Sequence, residues 1–199
     1  MQGGGATGAP RLLRAGKAQA RPGARRALRV LPPMTAVLFL CTGNAARSVM
    51  AGAMLEHLRP DLAVETAGTL AVDGLPMSWR TRDALLAVGL DVPAHRSKQA
   101  RRDQLERCDL VVALAPEHVQ WVRRNHPRAV TRTSTLRHFV EVLELPSRPL
   151  GSQLPPLGLG QRALEQREEV ADPAGGDLDV FVACAREVVG LVDELAKRI

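Results

Sequence analysis

Cys41 is followed six residues later by Arg47, with Gly43 and Asn44 between them and Ser48 directly after, in the run C-T-G-N-A-A-R-S. An apolar stretch, A-V-L-F-L at 36–40, leads into it, and a helical pattern follows. This combination can handle a tetrahedral anion. Backbone N–H groups curling through Thr42, Gly43, Asn44, Ala45 and Ala46 into a helix N-terminus make a concave nest of partial positive charge. Gly43 is expected to permit the turn. Arg47 adds a guanidinium fork able to grip two oxygens, and the same field favours a Cys41 thiolate, the nucleophilic form of the side chain. Ser48 can donate a hydrogen bond to the sulfur. A cysteine with an arginine six places later is a weak signal in an arginine-rich chain. Of the three cysteines only Cys41 shows it, and it stands between an apolar strand and an amphipathic helix.

The elements that must hold this run can be read from periodicity. Residues 36–40 are apolar throughout, as in a parallel strand buried on both faces. Met50, Ala53, Met54 and Leu58 fall on one helical stripe that ends at Arg59-Pro60. Residues 62–66 suggest a second strand, and Ser78 caps a helix running to Val88 that Gly89 closes. L-V-V-A-L at 110–114 is a further buried strand, and Pro116 opens a helix that must stop before Pro127. Another helix is expected over 134–143, with Leu136, Phe139, Val140 and Leu143 inward. Over 177–197, Phe181, Cys184, Ala185, Val188, Val192 and Leu195 share one stripe of an amphipathic helix. Such alternation implies an α/β fold: a small doubly wound parallel sheet of about four strands, with helices on both faces and the anion-binding loop after strand 1. Residues 146–176 interrupt it with Pro146, Pro149, Pro155, Pro156 and several glycines, the composition of a lid or binding loop.

Composition narrows the classes further. The chain has 199 residues, 45% of them hydrophobic and 24% charged, which suits one globular domain and excludes wholesale disorder. No apolar stretch approaches the length of a bilayer span, so no membrane partner is expected. An odd number of cysteines, three, argues against a disulfide framework and for the cytoplasm. The net charge of +6 is misleading as a sign of nucleic-acid binding. Residues 1–33 hold seven of the 27 basic residues and none of the 21 acidic ones, leaving the rest near neutral. With five aromatic residues and no tyrosine, the stacking platform of a single-strand binder is also missing, so no nucleic-acid partner is expected. The expected organisation is a phosphate-handling domain over 34–199, preceded at 1–33 by a disordered basic tail or a mis-assigned start. Of a targeting segment, an interaction tail and an upstream stretch before a true start at Met34, the last is favoured, because only three of the 27 basic residues are lysine, as in GC-rich coding DNA.

The run C-T-G-N-A-A-R-S after V-L-F-L resembles the phosphate-binding loop of the low-molecular-weight protein tyrosine phosphatases of bacterial type. E-T-A-G-T at 65–69, H-R-S-K-Q at 95–99, C-D-L-V-V-A-L at 108–114 and Asp172-Pro173 are similar to later motifs of that family, so the likeness spans residues 36–196. The resemblance implies Cys41 as nucleophile, Arg47 as phosphate clamp and Asp172 as general acid and base. It also implies a phosphate site formed by Thr42, Gly43, Asn44, Ala45, Ala46, Arg47 and Ser48, with Asn44, Ser48, Thr66 and His95 supporting the loop. Aryl phosphates, phosphotyrosine above all, would be hydrolysed through a phosphocysteine, without metal or other cofactor. The implied partners are a phosphoprotein substrate and a cognate tyrosine kinase, and a monomer is expected.

Taken alone, Asp172-Pro173 ahead of two glycines is a turn, and His95 a structural histidine. Cys108 and Cys184 read as packed thiols, and the other histidines form no ligand-spaced cluster, so no metal site is expected. Three departures from the family pattern matter. Ala46 stands where many members have a second cysteine, so a protective disulfide within the loop is unavailable. Ala174 stands where an aromatic residue is frequent. Ala45 stands where phosphotyrosine-directed members carry a bulkier apolar residue and phosphoarginine-directed ones a threonine. Trp79 either walls the pocket or packs its own helix. The alternatives are a protein arginine phosphatase, a thioredoxin-coupled arsenate reductase and a non-catalytic phosphate-binding module. The reductase needs relay cysteines after the strand at 110–114, where Ala115-Pro116-Glu117 stands instead.

Overall fold

The structure, a computed structural model, describes residues 35–92, 94–145 and 148–199. The basic segment at 1–33 lies outside the described residues. Four parallel strands form one sheet: β1 (Ala36–Cys41), β2 (Ala63–Gly68), β3 (Leu110–Ala113) and β4 (Thr133–Thr135), in the order β2-β1-β3-β4. Helices α1 (Arg47–Leu58), α2 (Trp79–Ala87), α3 (Arg102–Arg107), α4 (Pro116–Asn125), α5 (Leu136–Val142), α6 (Leu150–Gln153) and α7 (Leu178–Ala196) connect and cover it. No described helix is long and apolar enough to cross a membrane.

Strand β1 shows why its sequence is apolar without alternation. Val37, Phe39 and Cys41 face the core built on α1, α5 and α7, while Leu38 and Leu40 face the opposite layer with Leu105, Val122 and Ala129. Successive residues of a strand point to opposite faces, and here both faces are covered. All six apolar residues read as the inner stripe of α7 are buried. On α1 the buried face differs from the expected stripe: Val49, Met50, Ala51, Gly52 and Leu55 are buried, while Ala53, Met54 and Leu58 are half-buried. The close approach of β2 explains this, because a Cβ on Gly52 would sit 2.4 Å from Thr66 Cγ2.

Two other elements depart from the expectation. The start of the helix expected over 134–143 is instead strand β4, three hydroxyl-bearing residues with no apolar signature. Their burial is tolerated because Thr133 Oγ1 donates to Ala129 O at 2.7 Å and Thr135 Oγ1 to Glu168 Oε2 at 2.6 Å, while Thr135 also caps α5. The described part of the expected loop, residues 148–176, is in turn packed down. Leu154, Leu159 and Val170 are buried in the core, and Arg123 donates to Leu159 O and Arg162 O at 2.8 and 2.9 Å.

Buried Glu168 anchors this segment, held by both Nη atoms of Arg162. Burial on its own raises the Glu168 carboxyl, but the Arg162 guanidinium, the Thr135 hydroxyl and the Glu165 amide outweigh it and leave the acid below the usual carboxylate range. A carboxyl depressed on folding adds stability that is present above its unfolded value and is lost as pH falls through the lowered one. Glu168→Ala is expected to cost about 3–5 kcal/mol, the usual penalty for stripping one partner from a buried ion pair. Denaturant unfolding at neutral pH should show this loss, and the gap to wild type should narrow under acid.

Candidate active site

The order β2-β1-β3 places a switch point at the carboxyl ends of β1 and β3, the crevice where open parallel sheets bind ligands. The loop leaving β1 enters α1 there, with Ala46 as N-cap. Its peptide planes are fixed by their carbonyls. Thr42 O accepts from Leu70 N at 2.9 Å. Asn44 O accepts from His95 Nε2 at 2.8 Å and Ser97 Oγ at 2.9 Å, and Ala45 O from Thr81 Oγ1 at 2.8 Å. A trans peptide points its N–H opposite to its C=O, so pinning these oxygens outward turns the amides of Gly43, Ala45 and Ala46 inward. None of those amides has a partner among the described residues.

The residue that makes the turn is Asn44, whose φ is +50°. Gly43 was expected to permit it, but its φ is not positive. Asparagine is among the few residues that adopt the left-handed region readily, and here it has further duties. Lys98 N donates to Asn44 Oδ1 at 2.8 Å, Asn44 Nδ2 donates to Ser48 Oγ at 3.0 Å, and Ser48 Oγ lies 3.0 Å from Cys41 Sγ. Since Ser48 Oγ already accepts from the amide, its own proton is free for the sulfur. Asn44 N also donates to Sγ, at 3.3 Å. Both donors stabilise negative charge on sulfur.

Arg47 is 2% exposed and aims its fork along the crevice. Nη1 donates to Val170 O at 3.0 Å, and Nη2 pairs with Asp172 Oδ2. Asp172 is 41% exposed, and its Oδ1 accepts from Ala174 N at 3.0 Å. The aspartate is thus both a turn residue and the partner of Arg47. Cys41, Thr42, Arg47 and Asp172 line a cleft of about 390 Å3 whose other walls include Ala45, Ala46, Ser78, Thr81, Ala174 and Phe181.

Two histidines flank the loop in neutral form. Burial pushes His95 down, as do Lys98 and Arg96, against the opposing pull of the Asn44 carbonyl. His118, at the start of α4, is pushed down to about 3 by burial and by Arg47, and its Nε2 lies 3.0 Å from Thr42 Oγ1. His118 therefore stays uncharged across the neutral range, and burial biases His95 toward the same form. The thiols of Cys108 and Cys184 are pushed up to about 11 and about 12, first by burial.

The family model described as low molecular weight phosphotyrosine protein phosphatase matches residues 36–147. The protein-arginine-phosphatase of Geobacillus stearothermophilus is 30% identical over 164 residues, spanning 82% of this chain and 95% of that relative. The low molecular weight protein-tyrosine-phosphatase Ptp of Acinetobacter johnsonii is 25% identical over 103 residues, 52% of this chain and 72% of its own length. Among solved structures, the low molecular weight protein tyrosine phosphatase of T. tengcongensis, 29% identical, aligns with a TM-score of 0.67 over 83% of this chain and 99% of that one. The chain belongs to the low molecular weight phosphatase family.

In this phosphatase the structure brings Cys41, Thr42, Gly43, Asn44, Ala45, Ala46, Arg47, Ser48, His95 and Asp172 together. It does not bring Thr66 there. Thr66 pairs with Phe39 in the sheet, two positions short of the Cys41–Gly68 pair, and its methyl packs toward Gly52. The hydroxyl on Asn44 O comes from Ser97 instead. Ser97, Thr81, His118 and Gly68 were not anticipated: each reaches the loop through space, and only the H-R-S and T-A-G stretches hinted at two of them. Trp79, 53% exposed, neither walls the reaction cleft nor packs in the core.

Proposed function

We propose that the phosphatase hydrolyses aryl phosphate esters, phosphotyrosine in proteins above all, through a phosphocysteine intermediate on Cys41. The observation that carries this reading is the single crevice in which Cys41 Sγ, the inward amides, Arg47 and Asp172 converge. A phosphoryl dianion seated on the loop takes the amides and the Arg47 fork to its equatorial oxygens. Sulfur then attacks phosphorus as the aryl oxygen leaves on the far side. Arg47, drawn onto the dianion, releases its hold on Asp172, whose carboxyl delivers a proton to the leaving oxygen. Asp172, now ionised, takes a proton from the water that attacks phosphorus and frees Cys41. Ala45, Ala46, Ala174 and Phe181 give the cleft apolar walls suited to an aromatic ring.

A second reading, hydrolysis of phosphoarginine, is favoured by the arginine-phosphatase relative, whose match extends over nearly its whole length. The guanidinium of that substrate would need carboxylate partners, and among the described residues Asp172 is the one carboxylate lining the cleft. Matched phosphotyrosyl and phosphoarginyl peptides, assayed with wild type and Asp172→Asn, separate the readings. The expected result is faster release from phosphotyrosine. Asp172→Asn should lower kcat about 10^2- to 10^4-fold on phosphotyrosine, and less on 4-nitrophenyl phosphate, whose leaving group needs no proton. Faster release from phosphoarginine would select the second reading, and no release from any of the three would refute both.

A further inference from the structure

Ser78, the N-cap of α2, borders two clefts. One is the reaction cleft; the other, about 270 Å3, is lined among others by Trp79, Arg82, His95 and Arg96. The neighbouring cleft is cationic and poorly neutralised. Arg82 has one acidic partner among the described residues, its sequence neighbour Asp83, at 3.6 Å with both side chains exposed. Arg96 has none, and its Nη1 donates to the carbonyl of His95 at 3.2 Å. Arg80 lies over the Trp79 ring at 4.9 Å, and its Nε is buried without a partner. Two guanidinium groups, Arg82 and Arg96, therefore line the cleft beside Trp79, and a third, Arg80, lies over that ring, with a single loosely held carboxylate among them. Such a field attracts anions, and a planar fork is shaped for a carboxylate.

We propose that this cleft is a subsite for an acidic side chain, Asp or Glu, flanking the phosphorylated residue of the substrate protein. The proposal rests on the phosphatase reading above. With Ser78 as a common wall, the two clefts stand one side chain apart. An extended peptide, rising about 3.3 Å per residue, can therefore seat its phosphoresidue on the Cys41 loop and a near neighbour against Arg82 and Arg96. His95 lines this cleft and bonds Asn44 O, which ties the subsite to the loop.

The test uses the full chain and phosphotyrosyl peptides that differ only in carrying Glu, Ala or Lys on either side of the phosphoresidue, with 4-nitrophenyl phosphate as a substrate too small to reach the subsite. The Glu peptide is expected to have a kcat/KM about 5- to 10-fold above the Ala peptide, as for two solvent-exposed ion pairs. The gain should lie in KM and shrink with added salt. Arg82→Ala combined with Arg96→Ala should erase the preference while leaving 4-nitrophenyl phosphate turnover unchanged, and Arg82→Glu should shift it toward the Lys peptide. Equal kcat/KM for the Glu and Ala peptides with wild type, or a preference that survives the double replacement, would overturn the subsite alone. Absence of 4-nitrophenyl phosphate turnover would overturn the phosphatase reading and the subsite with it.

Discussion

Replacing Cys41 by serine is expected to abolish turnover while leaving anion binding in place. On the proposed reading the cleft would hold a tetrahedral dianion through the loop amides and Arg47, none of which involves the sulfur atom. What changes is the nucleophile. A serine hydroxyl at this position has no base in hydrogen-bond contact among the described residues, since Ser48 and the Asn44 amide both stand as donors to the sulfur. His95 and His118 are engaged with Asn44 O and Thr42 Oγ1. Losing a nucleophile that the site is built to stabilise costs roughly 10^4-fold or more in kcat. Phosphate release from 4-nitrophenyl phosphate measures that loss, and titration with inorganic phosphate measures the retained binding. Mass spectrometry adds a direct view of the intermediate. Asp172→Asn, quenched during turnover of 4-nitrophenyl phosphate, should carry phosphate on Cys41, because formation of the thiophosphate needs little acid with that leaving group while its hydrolysis still needs the base. Residual turnover by Cys41→Ser within tenfold of wild type would rule out the thiolate as nucleophile.

The geometry of the loop was legible in the sequence because it is local. Eight consecutive residues carry the proposed nucleophile, the inward amides, the proposed clamp and the hydroxyl that faces the sulfur, and the flanking apolar runs announce the strand and the helix. The collar was not legible, because its members come from separate elements: Ser97 from the segment before α3, Thr81 from α2, His118 from α4. Single hydroxyls and a lone histidine have no period to betray them, and only the fold shows which loop oxygen each one meets: Asn44 O for Ser97, Ala45 O for Thr81 and Thr42 Oγ1 for His118. Thr66 was misplaced for a related reason. Likeness of a T-A-G stretch does not reveal strand register, and the register opposes Cys41 to Gly68, leaving Thr66 two positions upstream. Strand β4 was missed because its buried threonines and serine, met by Ala129 O, Glu168 and Arg162, carry no apolar signature. Asp172 stands between these cases: as a turn residue it was visible from its own neighbours, but its pairing with Arg47 links positions 125 residues apart.

The register that removes Thr66 from the loop gives Gly68 its importance, and Gly68→Ala is expected to be among the most damaging replacements outside the loop itself. A Cβ there would lie 2.4 Å from Thr42 O, 2.9 Å from Asn44 N and 2.8 Å from Ala71 Cβ. The first two are backbone atoms of the loop that follows β1, so no side-chain rotation relieves the contact. Gly68 cannot retreat either, since its N–H donates to Lys98 O and its carbonyl accepts from Ala100 N, both at 2.8 Å. The loop must therefore shift, and with it the Thr42 carbonyl that fixes the Gly43 amide and the Asn44 amide that faces Sγ. Misplacing reacting groups by about 1 Å costs on the order of 10^2-fold in rate, so kcat should fall by about that factor. Gly190→Ala serves as the control, because a Cβ on that exposed position of α7 meets nothing within 4 Å. It should leave kcat unchanged and add about 0.5–1 kcal/mol of stability through helix propensity. If Gly68→Ala kept wild-type kcat, the loop would be shown to accommodate a displaced Thr42 carbonyl, and the pinning of peptide planes from outside would not be what orients the amides.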